Sequence, residues 1–99
     1  MAQEVLEFII VPPYEKALQV SQASERLRDY LLRRFPGYSF KISDFAPVGD
    51  EDEFCIVPIM NYLDPEGKMR MCEAPSRWFM LDIAQACRDF DLSGKRYAA

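Results

Sequence analysis

Three cysteines, five tyrosines and a run of carboxylates are the residues of this chain that could do chemistry. Cys55, Cys72 and Cys87 are odd in number and widely spaced, with no C-x-x-C pair. Neither a zinc knuckle nor a thioredoxin-type motif can be built from them. Histidine is absent from all 99 residues. That removes the commonest general base and the commonest transition-metal ligand, so Ser-His and Cys-His nucleophilic schemes cannot be assembled within the chain. Cys72 stands just before a predicted helix, whose N-terminus can favour a thiolate. Glu73 beside it opposes that effect, because a reactive thiol needs an electropositive setting. The three thiols therefore read as reduced, small hydrophobes.

The densest charge cluster is Asp50, Glu51, Asp52 and Glu53, with Asp44 nearby. Such acids can hold a hard cation or attract a basic partner. Their spacing is not that of an EF-hand, since Gly49 precedes the acids instead of interrupting them. The preferred reading is a solvated acidic patch that guards the apolar stretch after it against aggregation. An acidic decoy imitating nucleic-acid phosphates is a further reading, with a basic protein as its target. Tyr14, Tyr38 and Tyr62 fall near predicted element ends and could line one small-molecule pocket. The four glycines are isolated, so no phosphate-cradling loop is present.

The elements that must position these residues are legible from periodicity. Residues 4–11, EVLEFIIV, alternate as an interior strand, with Leu6, Phe8 and Ile10 on one face and Val5, Glu7, Ile9 and Val11 on the other. Pro12-Pro13 ends it and can open a helix. From Tyr14 to Phe35 the period becomes helical, with Ala17, Val20, Ser24, Leu27 and Leu31 as the apolar stripe. Pro36-Gly37 stops that helix, and 38–45 alternates as a half-buried strand.

The stretch 53–62, EFCIVPIMNY, is apolar on both alternating faces and is expected to organise the sheet. Pro58 conflicts with a central place, because proline cannot donate to the ladder. The turn Asp64-Pro65-Glu66-Gly67 returns the chain into 68–74, so 53–74 is expected to be a hairpin. A second amphipathic helix spans about 75–90, with Phe79, Ile83, Ala86, Cys87 and Phe90 on its core stripe. A loose tail follows from about residue 91.

The expected fold is therefore α+β: a two-layer sandwich in the order β-α-β-β-β-α, with a mainly antiparallel four-stranded sheet and two helices on one face. One domain over 1–99 suits the length. The outline is similar to ferredoxin-like sandwiches but lacks a clear last strand.

Twelve basic residues against sixteen acids give a net charge of −4. Direct nucleic-acid binding is not expected, because such proteins present a concentrated basic face. No apolar run is long enough to span a bilayer, and the N-terminus has no signal-peptide pattern, so a cytoplasmic protein with no membrane contact is expected. No cofactor and no metal is called for.

What remains is a module that acts by binding another protein, or itself, with no chemistry of its own. The sheet face left bare by the helices would carry Val5, Ile9 and Val11, and is the expected homodimer surface. A second candidate is Trp78. At 100° per residue it shares a helix face with Asp82, Gln85 and Asp89, within about 40°, away from the core stripe. Trp78 with Arg77 beside it pairs two residue types favoured at binding hot spots. The alternative to both is a small-molecule-binding protein or minor enzyme that uses the tyrosines.

Overall fold

In the strand β1 (Glu7–Val11) alternate side chains part company, and this decides the centre of the fold. The computed structural model describes residues 4–43 and 53–92. Phe8 and Ile10 are fully buried, whereas Glu7 is exposed and Ile9 and Val11 are half-buried. β1 is flanked on both edges. It runs parallel to β2 (Ser39–Ile42), with Ile9 opposite Lys41, and antiparallel to β3 (Cys55–Pro58), with Ile9 opposite Val57. The sheet order is β2-β1-β3. The parallel pair follows from the helical connection between β1 and β2, since parallel neighbours need a crossover of a dozen residues or more.

The α+β class is as expected; the single four-stranded sheet is not. Beyond β3, β4 (Asn61–Leu63) and β5 (Met69–Met71) form a separate two-stranded hairpin. The stretch 53–62 is thus divided at Ile59-Met60, and it lies at an edge while β1 holds the centre. Backbone hydrogen bonds give the reason. The Ile59 N–H donates to the Glu7 carbonyl at 2.9 Å, whereas the Met60 carbonyl accepts from the Cys72 N–H at 2.6 Å. Neighbouring residues in an extended strand turn their polar groups to opposite sides. Odd residues of β3 therefore face β1, and the missing N–H of Pro58 falls on the side away from β1. An edge strand tolerates proline at that position, which resolves the conflict in the sequence.

The first helical region is bent as well. A short 3₁₀ turn at Tyr14–Lys16 leads into α1 (Ala17–Gln22), and α2 (Ser24–Arg34) follows after a break at Ala23. The Ala23 N–H is shared between the carbonyls of Gln19 and Val20, each at 3.1 Å. The bend puts Val20, Ala23, Leu27 and Leu31 in the core and leaves Ser24 half-buried at its margin. Gly37, at φ +91°, takes the left-handed turn into β2.

α3 (Arg77–Asp89) starts at a true cap: the Ser76 hydroxyl accepts from the Phe79 N–H at 3.0 Å. Ile83, Ala84, Ala86 and Cys87 are its buried residues. α2 packs on β2, α3 on β3, and the two helices touch. Their buried stripes meet Phe8, Ile10, Phe40 and Ile56 in one core cluster, so the helices cover the Phe8 side of the sheet. The Phe79 ring lies 5.7 Å from Phe8, 5.6 Å from Phe35 and 4.8 Å from Tyr38, tying helix to sheet through aromatic contacts. Leu92 packs against the core too, and its carbonyl accepts from Arg26 Nη2 at 3.0 Å. The tail from residue 93 onward lies outside the described residues.

Candidate interaction surface

On the side of the sheet away from the helices, the register brings together residues from three strands. β1 supplies Glu7, Ile9 and Val11, β2 supplies Ser39 and Lys41, and β3 supplies Cys55 and Val57. Ile59 continues the odd-numbered set. The centre is Ile9, between Val57 on one side and Lys41 on the other. Val57 and Cys55 are exposed, and Ile9, Val11 and Ile59 are half-buried. No described element packs over this face.

Of the expected face residues, Ile9 and Val11 are where the alternation places them. Val5 is not. It is 3% exposed and belongs to the core cluster. The strand begins only at Glu7, so the alternation cannot be extended back to residue 5. Ahead of β1 the chain turns toward the second sheet, with Glu4 bridged to Glu73.

Two charged residues border the apolar centre, Glu7 and Lys41. Both are exposed, and neither side chain has a hydrogen-bond or ion-pair partner among the described residues. They stand on diagonal positions of adjacent strands, about 8 Å apart. Both also line a groove together with Glu25 and Arg28 of α2. Sequence reasoning missed this pair, because only the register shows that Lys41 sits beside Ile9.

The second candidate region lies on the opposite side of the molecule. Trp78 is 77% exposed, and Arg77, Leu81, Asp82 and Gln85 around it are exposed too. This agrees with the helical projection. The region is laced with its own contacts: Gln85 Nε2 donates to Asp89 Oδ1 at 2.8 Å, and Arg88 Nη2 to Gln85 Oε1 at 2.5 Å. Arg88 Nη1 also reaches Glu53 Oε2 at 3.3 Å. Glu53 is the one member of the acidic cluster among the described residues; Asp44, Asp50, Glu51 and Asp52 lie outside them. Among the described residues no three cysteines or acids converge to hold a metal ion.

The hairpin adds apolar surface of its own. Leu63, Met69 and Met71 are 67%, 64% and 67% exposed. Leu63 faces Met69 directly across the ladder, with Met71 the next position on that side. Asp64 holds the turn: its Oδ1 accepts from the N–H groups of Lys68 at 2.8 Å and Glu66 at 3.0 Å, and its Oδ2 from Arg70 Nε at 2.8 Å. The Arg70 contact, followed by the backbone donors, holds the Asp64 carboxyl below its usual range.

The tyrosines do not share an opening. Tyr38 lines a groove of about 350 Å³ with Glu4, Glu73, Ser76 and Phe79, but Tyr14 and Tyr62 are not part of it. The thiols differ from one another as well. Cys87 is buried, and burial pushes its pKa up to about 12, with Arg88 opposing. Cys72 is buried, but Cys55 is exposed on the open sheet face and is not a core hydrophobe.

No helix among the described residues is long and apolar enough to cross a membrane. No protein-family model, no curated protein and no solved structure matches the chain.

Proposed function

We propose that this protein works by binding protein, a second copy of itself included, through the open face of its three-stranded sheet. The observation that carries the reading is the one-sided cover of that sheet. The helices pack against Phe8, Ile10, Phe40 and Ile56, while Ile9, Val11, Cys55 and Val57 lie on the other side of the sheet, outside the core cluster. Apolar side chains from two strands adjoin at the centre of that face, as they do at the core of an interface. The mixed character, an apolar centre with charges at its border, is that of a non-obligate interface. Histidine-dependent catalysis is barred by composition.

A photo-crosslinking residue at position 9 tests this in the full chain. Protein adducts at position 9, and none at the exposed position Glu15 on the 3₁₀ turn, support the reading. Adducts confined to position 78 would move the function to the outer side of α3 and remove it from the sheet.

A further inference from the structure

We infer that the partner on this face is a second copy of the same chain, docked about a two-fold axis that passes between Ile9 and Val57 and pairs Glu7 of each copy with Lys41 of the other. This rests on the reading of the open sheet face as an interface and names its occupant.

Charge complementarity on the flat lattice of ideal strand spacings gives the docking. Side chains on one face of a strand repeat about every 6.8 Å, and neighbouring strands lie about 4.8 Å apart. In that frame Lys41 and Val57 flank Ile9 across the strands, and Glu7 lies one repeat back along β1. A two-fold axis in the plane between two stacked sheets exchanges points across its own line. The line that exchanges Glu7 with Lys41 lies at about 55° to the strands and passes midway between Ile9 and Val57. The axis that satisfies both free charges therefore runs through the apolar centre, although nothing in the charges requires it to do so.

The same operation brings Ile9 and Val57 against their own equivalents and Val11 over Ile59 of the other copy. Cys55 is placed at the rim. Strands of the two copies cross at about 70°, near the orthogonal class of sheet packing. Stacked sheets are about 10 Å apart, a gap that a glutamate and a lysine side chain together span. The interface is isologous, as a closed dimer requires.

The area sets the strength. The thirteen residues of β1, β2 and β3 have a footprint of about 210 Å² on this lattice, or about 420 Å² for the two copies together. That is below the size of stable interfaces. A weak, transient dimer is expected.

Sedimentation velocity on the full chain, from about 1 to 500 μM, tests the proposal with a charge swap. Glu7→Lys and Lys41→Glu should each raise the dimer Kd at least tenfold, because each leaves two like-charge contacts in the dimer. The double variant Glu7→Lys/Lys41→Glu should return it to within about threefold of the native value. Circular dichroism melts of all four proteins show that each is folded.

A dimer that survives both single swaps, or one that the double swap fails to restore, overturns the docking. A chain that stays monomeric to 500 μM overturns the second copy as occupant. In that case adducts to other proteins at position 9 would leave the binding reading standing, while their absence would remove both.

Discussion

Replacing Phe8 and Ile9 by alanine, one at a time, tests the sidedness of the sheet at adjacent residues of one strand. Phe8 is fully buried, with the rings of Tyr38, Phe40 and Phe79 at 6.0, 6.0 and 5.7 Å. Its truncation leaves a cavity that these rings cannot close, and Phe→Ala in such a place costs about 4 kcal/mol. Ile9 is half-buried on the open face. It loses about three methylene equivalents that are half in water already, so about 1 kcal/mol is expected.

Guanidinium unfolding at about 1 μM reads the monomer. With a slope of about 3 kcal/mol/M, the midpoint should fall by about 1.3 M for Phe8→Ala and about 0.3 M for Ile9→Ala. A domain of this length is stable by roughly 5–15 kcal/mol, which leaves a folded baseline in both variants. At several hundred micromolar the native dimer adds stability by mass action, and Ile9→Ala should forfeit that increment as well. If Ile9→Ala costs as much as Phe8→Ala in the dilute monomer, something in the chain already covers the outer face, and the interface argument fails.

Ser76→Ala removes the cap of α3 and should lower stability by about 1 kcal/mol, measured by the same unfolding assay; Ser76→Asp should retain most of it. The folded Asp64 carboxyl lies below its unfolded value of about 3.8, so its contribution to the hairpin is present above that pH and is lost as pH falls through the folded pKa. Protection of the Lys68 amide, taken as its exchange rate relative to the intrinsic rate at the same pH, should therefore fall on acidification below about pH 4, and an Asp64→Asn variant should lack that response. Trp78 should emit at long wavelength and be quenched readily by iodide in the monomer, because its ring is mostly in water. Blue-shifted, quencher-resistant emission would show that ring to be packed.

Legibility followed the range of the interactions. The alternation of EFIIV, the stop at Pro36-Gly37, the turn at Asp64–Gly67 and the stripe of α3 are local patterns, and each is met in the fold. The bare position of Trp78 followed from helical angle alone. Pairing was not legible in the same way. An apolar stretch such as CIVPIM reads as a central strand by composition, yet only its hydrogen-bond partners show that it leaves β1 after Ile59 and takes up β5 at Met60. Val5 failed for a related reason: alternation does not announce where a strand begins. The Glu7–Lys41 diagonal spans 34 positions in sequence and depends on a parallel register that no local pattern carries.

The central place of β1 has a consequence for the chain as it is synthesised. Its residues 7–11 are made before either neighbour: β2 ends at residue 42 and β3 at residue 58. At about 5–20 residues per second, the most β-prone segment waits roughly 2–9 seconds for its second neighbour. Both of its edges are open to any other nascent strand until β2 is made, and the β3 edge stays open for the whole interval. The intervening helices offer apolar surface that can shelter it before either edge is paired, Val20 from α1 and then Leu27 and Leu31 from α2. Weakening α2 should thus lower the yield of soluble protein more than it lowers the stability of the finished fold.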